Sequence, residues 1–121
     1  MEYLRILPHL PVKDVAAEVA FYRKLGLTIF QQLKGFTSVQ HGDGRLVHFG
    51  IKESAEPAPP PGFDWKLEVD DIVSATRLMN EQHISLVREP FQIPSGKWRI
   101  IVNTPNGYEL TLESRLNSSV P

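Results

Sequence analysis

The sequence predicts an α+β fold, two βαβββ modules in tandem within one domain, and three observations carry that expectation. The stretch Leu10–Phe30, LPVKDVAAEVAFYRKLGLTIF, slid forward by 57 positions lands without a gap on Leu67–Val87, LEVDDIVSATRLMNEQHISLV. Leu10 meets Leu67, Val12 meets Val69, Asp14 meets Asp71, and Leu27, Ile29 and Phe30 meet Ile84, Leu86 and Val87. A self-match at fixed offset marks a duplicated structural unit. Each copy is then followed by turn-separated apolar runs that read as a hairpin. Finally, the run Glu56–Gly62, EPAPPPG, is stiff and extended by composition and divides the chain almost in half. Module 1 is therefore placed at residues 1–55, the linker at 56–62, module 2 at 63–115 and a frayed tail at 116–121. A four-stranded sheet with one helix leaves its other face bare, and two such sheets side by side can enclose a shared cleft.

In module 1, Tyr3–Val12 alternates loosely and contains Pro8 and Pro11. Proline donates nothing to a ladder, so this strand should be short or at an edge. Asp14 stands at an N-cap, Val15, Val19, Tyr22 and Leu25 recur at helical spacing, and Gly26 follows as a stop, giving a helix over Asp14–Leu25. Leu27–Leu33 reads as a strand, Lys34-Gly35 as a turn and Phe36–His41 as the next strand. His41-Gly42-Asp43-Gly44 is a reversal whose Asp-Gly supplies the positive φ of a tight turn, and Arg45–Ile51 returns.

Module 2 repeats the programme. Phe63–Val69 is a strand, Asp71 a cap, and Ile72, Ala75, Leu78 and Met79 line a helix that ends at His83, the counterpart of Gly26. Histidine tolerates a left-handed cap better than most residues with a side chain. Ile84–Val87 reads as a strand and Glu89–Gly96 as a longer loop with two prolines. Trp98–Asn103 and Tyr108–Glu113 form a closing hairpin around Thr104-Pro105-Asn106-Gly107.

Composition narrows the function classes. The 121 residues, 41% hydrophobic and 22% charged, are ordinary for a soluble globule. A net charge of −1 provides no field to gather nucleic acid or an anionic membrane. The absence of cysteine removes disulfides, thiolate metal sites and cysteine nucleophiles. No basic segment followed by a long apolar run opens the chain, and no window approaches about 18 apolar residues, so neither a signal peptide nor a membrane span is expected. The expected location is cytoplasmic. There is no Gly-rich phosphate loop, HExxH or Gly-x-Ser-x-Gly.

Alternation along strands sorts the side chains. Leu10, Val12, Val47, Phe49, Leu67, Val69, Leu110 and Leu112 are apolar at matching positions and should pack under the helices. The opposite parity faces the cleft: Leu7, His9, Leu46, His48, Asp64, Lys66, Glu68, Glu109, Thr111 and Glu113. The 57-residue offset pairs Leu7 with Asp64, and aligning Gly44 with Gly107 pairs His48 with Thr111.

With these residues in place, the chain resembles the vicinal-oxygen-chelate superfamily of glyoxalases, extradiol dioxygenases and bleomycin-resistance proteins. The resemblance rests on LPVKDVAAEVAFYRKLGL near the start, LEVDDI at Leu67–Ile72 and GKWRIIVNTPNGYELTLE at Gly96–Glu113, and it covers nearly the whole chain. It implies paired βαβββ modules around a U-shaped cleft. In metal-dependent members, His or Gln and Glu side chains at four inward positions hold a divalent ion. Those positions fall here on Leu7, His48, Asp64 and Thr111. Leu7 has no donor, Asp64 replaces the usual His and Thr111 the usual Glu, leaving two plausible ligands where a catalytic metal needs three. A rearranged set of His9, His48, Asp64 and Glu109 has suitable nitrogen and oxygen donors. It would require shifts of about 6–7 Å along two strands.

Each candidate also has a plain structural reading. His48 is either a cleft residue or a hydrogen-bonded strand histidine. Asp64 either lines the cleft, caps the linker or pairs with Lys66 or His9. Lys66 and Glu68 either form a solvated face or meet a ligand's charges, and Phe36 and Trp98 either pack the sheet or hold a flat ligand. His41 and His83 belong to turns, Asp70-Asp71 to a helix start, and Glu113 beside Ser114 and Arg115 is expected to be exposed.

The expected function is a metal-free protein that sequesters a drug or metabolite, with Leu7, His9, Phe36, Leu46, His48, Asp64, Lys66, Trp98, Glu109 and Thr111 lining the cleft. The resemblance implies a homodimer. The alternative is a glyoxalase-like lyase or isomerase, or a dioxygenase, using a divalent metal on the rearranged set with Glu109 as base or ligand. A third possibility is an interaction domain whose cleft is filled by its own side chains.

Overall fold

Asp14 and Asp71 each start a helix by the same chemistry, and the two units of the fold grow from those starts. The computed structural model describes residues 1–56, 59, 62–116 and 120–121. It divides into two compact units, Met1–Pro60 and Pro61–Pro121. Pro57, Ala58, Pro60 and Pro61 of the expected linker, and Asn117–Ser119 of the expected tail, lie outside the described residues.

The N-terminal unit runs β1 (His9–Val12), α1 (Val15–Lys24), β2 (Thr28–Leu33), β3 (Phe36–His41) and β4 (Val47–Glu53). Its sheet has the order β1-β4-β3-β2, with β1 parallel to β4 and the other pairs antiparallel. Asp14 Oδ1 accepts the Ala17 N–H at 3.0 Å, and Gly26 leaves the helix at φ 92°. Both are the roles their residue types suggest. Tyr22 is fully buried, with its ring edge-on to Phe49 at 4.9 Å, among Leu10, Val12, Val39 and Ile51. Burying each such side chain stabilises the fold by about 1.5–3 kcal/mol. The first strand is shorter than Tyr3–Val12. It begins at His9, at the sheet edge, and residues 1–8 are exposed. Pro8 gives its carbonyl to the Gly50 N–H at 2.8 Å but has no N–H to return.

The C-terminal unit runs β5 (Trp65–Val69), α2 (Ile72–Glu81), β6 (Phe91–Gln92), β7 (Trp98–Asn103) and β8 (Glu109–Ser114), with the sheet order β5-β8-β7-β6. β5 is parallel to β8, as β1 is to β4. Asp71 accepts from Val73 N–H at 3.2 Å and from the Ser74 hydroxyl at 2.8 Å. These bonds, of which that with Ser74 is the largest influence, hold its carboxyl below the usual range. Ile72, Ala75 and Met79 pack with Ile100, Val102, Leu110 and Leu112 in the core. His83 takes the left-handed conformation at φ 58°.

One element departs from expectation. Ile84–Val87 is not a strand of the sheet; Leu86 makes a single bridge to Val102. The Ile84 N–H is spent on the Met79 carbonyl at the helix end, at 2.9 Å. The fourth strand instead comes from the expected loop, as the two residues Phe91–Gln92, bracketed by Pro90 and Pro94. Both units are thus a mixed four-stranded sheet carrying one helix, and the fold is the tandem α+β arrangement the sequence predicts.

Candidate functional site

The face of the N-terminal sheet opposite α1 is read directly from its registers. His9 pairs with Gly50, Gly50 with Ser38 and Ser38 with Gln31, so these four form one row across all four strands. Phe36 stands one row to one side, and Gln40 with His48 one row to the other. The His9 and Phe36 rings meet at 5.1 Å, tilted by 58°. They can do so because Gly50 lies between them. A Cβ there would stand 2.5 Å from a Phe36 ring carbon and 2.9 Å from one of His9. A glycine inside a strand marks such a close approach.

β2 contributes through an irregularity. Its pairing jumps between Ile29 and Gln31, leaving Phe30 as an unpaired extra residue. A bulge of this kind re-aims a side chain. The Phe30 ring meets His48 edge-on at 4.9 Å. The resulting hollow, about 590 Å³, is lined by Leu7, His9, Phe30, Phe36, Ser38 and His48, with Gly50 and Arg5 beside them. A second concavity, about 470 Å³, adjoins it at Arg5 and His48 and includes Tyr3 and Leu46.

His48 is buried, and the Arg5 guanidinium donates to its Nδ1 at 2.9 Å. Burial first, and the Arg5 charge second, push the imidazole pKa below its ordinary value, which favours the neutral ring. Since a guanidinium only donates, Nδ1 must be the acceptor and Nε2 carries the proton. That assignment bears on metal binding. A ligating imidazole gives one nitrogen's lone pair to the ion and donates from the other. With Arg5 on Nδ1, His48 has no second lone pair to offer. Among the described residues, no three His, Asp or Glu side chains are grouped to hold an ion.

The equivalent face of the C-terminal sheet is charged and internally paired. Glu68, Glu113 and Arg99 form a row. Arg99 Nε reaches Glu113 at 2.8 Å, and Lys97 Nζ lies 3.0 Å from Glu68 and 3.6 Å from Glu113. Glu113, expected to be exposed, is only 8% exposed, because these cations close over it. Burial works to raise its carboxyl pKa, yet the Arg99 bond and the charges of Arg99, Lys66 and Lys97 leave it below the usual range. The Lys97 ammonium is pushed up, chiefly by its bond to Glu68.

The sequence-derived cleft residues fall in both units. Leu7, His9, Phe36 and His48 meet at the hollow of the N-terminal unit. Leu46 precedes β4, is 98% exposed and borders the adjoining concavity. Asp64 is exposed 3.8 Å from Lys66; Lys66 pairs with Thr111 in the ladder, and Glu109 with Asn103. Trp98, expected in the cleft, stands at the parity of Ile100 and Val102, the residues that face the core.

The internal repeat is also re-registered. His9 stands against Gly50 and its counterpart Lys66 against Thr111, so Thr111 corresponds to Gly50 and Glu109, not Thr111, to His48. Sequence reasoning missed Arg5, Phe30, Ser38 and Gly50. Only Gly50, a glycine inside a strand, carried a local signal.

This geometry can be set beside known proteins. The family model described as Glyoxalase/Bleomycin resistance protein/Dioxygenase superfamily matches residues 4–112. The chain belongs to this superfamily. A comparison with curated proteins finds no match. Among solved structures, a bleomycin resistance determinant encoded on the transposon Tn5 superposes with a TM-score of 0.78 at 22% identity, covering 93% of this chain and 98% of the other. A bleomycin-binding protein complexed with bleomycin gives 0.76 at 22% identity, with coverage of 92% and 98%. Lactoylglutathione lyase from Agrobacterium tumefaciens gives 0.71 at 17% identity, with coverage of 90% and 91%. At these identities the likeness establishes the shared fold. Resistance proteins and an enzyme share it, so the choice between them rests on the side chains.

Proposed function

We propose that this superfamily member binds a small organic molecule on the hollow face of its N-terminal sheet, holds it without a resident metal, and does not turn it over. The observation that carries this reading is the Arg5–His48 contact. It occupies Nδ1 of the imidazole that would otherwise anchor an ion. A hollow of about 590 Å³ with aromatic walls and a few polar groups has the size and character of a small-molecule site. The bleomycin-complexed structure serves as the functional model, with sequestration of a drug or metabolite as the role.

A homodimer belongs to the same proposal. Tyr3 at 89% and Leu46 at 98% exposed are costly to leave in water and suit a second copy. Light scattering behind size exclusion should give twice 13.7 kDa. A cytoplasmic location is part of the same proposal. No helix among the described residues is long and apolar enough to cross a membrane.

Calorimetric titration with Zn²⁺, Ni²⁺ and Mn²⁺ tests the central point. The expected result is no stoichiometric binding, while thermal-shift screening with bleomycin and a metabolite set finds ligands whose effect is the same with and without chelator. One-to-one metal binding abolished by His48→Ala would overturn the proposal and favour a metal-dependent lyase or dioxygenase.

A further inference from the structure

Among the described residues, two buried side-chain polar atoms have no hydrogen-bond partner, and both belong to β3: Ser38 Oγ and Gln40 Oε1. They stand two residues apart, so they share one face of the sheet, the face of the hollow. Buried polar atoms are nearly always satisfied, and an orphan costs stability. Ser38 is only 5% exposed and lies beside Gly50 in the central row, where the His9 and Phe36 rings come together.

A charge is left over in the same place. Arg5 borders the hollow, and among the described residues no carboxylate lies within pairing distance of it. Its one hydrogen bond goes to a neutral imidazole, which leaves most of its five N–H donors unspent. The contrast with Arg99, which is bound to Glu113 at 2.8 Å, is direct. A guanidinium without a counter-charge beside an orphan hydroxyl and aromatic walls is an arrangement complementary to a flat anion.

We propose that the hollow is built for a planar ring compound carrying a carboxylate or similar oxyanion, with Arg5 taking the anionic group, the aromatic side chains stacking on the ring and the Ser38 hydroxyl bonding its polar edge. This rests on the small-molecule reading above and adds the ligand class and a specificity residue. Ser38 Oγ has no solvent contact in the free protein, so the ligand reaches it by displacing a lining side chain. Phe30, on a bulge and 57% exposed, and Arg5, on a segment outside the sheet, can yield at least cost. The orphan is thus a cost in the free protein that a ligand removes.

Three probes with one ring system test this: 2-naphthoate, 2-naphthamide and 2-naphthylmethylamine, titrated while backbone amide shifts are followed. The expected result is that 2-naphthoate moves the Ser38, His48 and Gly50 amides and binds about tenfold tighter than the amide, a preference that Arg5→Gln removes. Ser38→Ala should weaken 2-naphthoate yet raise the melting temperature of the free protein, a pairing that a purely structural serine would not give. If the neutral or cationic probe binds at these amides as tightly as the acid, or if Ser38→Ala leaves affinity unchanged, the inference fails while the small-molecule reading stands. A fall in melting temperature would also overturn it, by showing that the hydroxyl already has a partner. If no probe moves these amides, the inference fails, and the small-molecule reading fails with it only if the thermal-shift screen also finds no ligand.

Discussion

The two units share one design, and the faces of their sheets away from the helices have opposite characters. In the C-terminal unit Glu68, Glu113, Lys97 and Arg99 satisfy one another. In the N-terminal unit the matching face carries rings, a buried neutral histidine and, among the described residues, a guanidinium with no carboxylate and two orphan oxygens. Duplication gave the chain two similar frames, and the difference between them is whether polar groups find partners inside the unit. A face that satisfies itself is finished. A face that does not is waiting for something.

The helix-packing sides should answer alike to truncation. Phe49→Ala and Leu110→Ala remove counterpart core residues, and each should cost about 3–5 kcal/mol in denaturant unfolding. A loss below about 1 kcal/mol at either would show that the two cores are not equivalent.

The polar sides should part company. Gly50→Val forces a side chain under the His9 and Phe36 rings and should cost about 1–3 kcal/mol while abolishing ligand binding. Its counterpart Thr111 already carries a branched side chain, so Thr111→Val should change stability by less than about 1 kcal/mol. Equal costs at the two positions would erase the contrast.

Glu113→Gln breaks the ion-paired row and should cost about 1–2 kcal/mol, less than a fully buried pair because Lys97 and Arg99 are partly exposed. The Glu113 carboxyl is held below its ordinary value of 4.5, so its contribution is present above that pH and is lost as pH falls through the folded value. The variant should show a flatter acid limb of stability against pH. His48 gives the N-terminal counterpart. Its depressed pKa means stability is lost as pH drops below 6.5, and Arg5→Gln should raise the His48 value in an NMR titration. A His48 pKa that falls instead would refute the contact with Arg5. The smallest effect is at the helix ends: His83→Gly relaxes the left-handed residue and should stabilise by about 0.5 kcal/mol, whereas its counterpart Gly26 already has that freedom.

What was legible in the sequence follows the same division. Caps, stops and core stripes are local chemistry, so Asp14, Asp71, Gly26 and His83 and both helices stand where periodicity puts them. Parity worked where one face is apolar, which put His9 and His48 on the same face, and the aromatic character of Phe36 brought it to the same hollow. Parity also put Glu113 beside Glu68, but its burial depends on Lys97 and Arg99 brought in by pairing, and Trp98, expected in the cleft as an aromatic, suits either face. The bulge at Phe30 changes parity without a compositional mark. Arg5 lies outside any strand, and Ser38 sits next to Thr37, so polarity alone did not say which of the two faces the hollow. The strand Phe91–Gln92 was hidden between prolines that suggested only a loop.

A crystal structure of the metal-stripped protein with a ligand found by thermal shift would test most directly that the two faces do different work. The account predicts density for the ligand against Gly50, with Ser38 Oγ within hydrogen-bond distance of it and the Arg99–Glu113 pair intact. A ligand seated on the Glu68–Glu113–Arg99 row with that pair broken would contradict it.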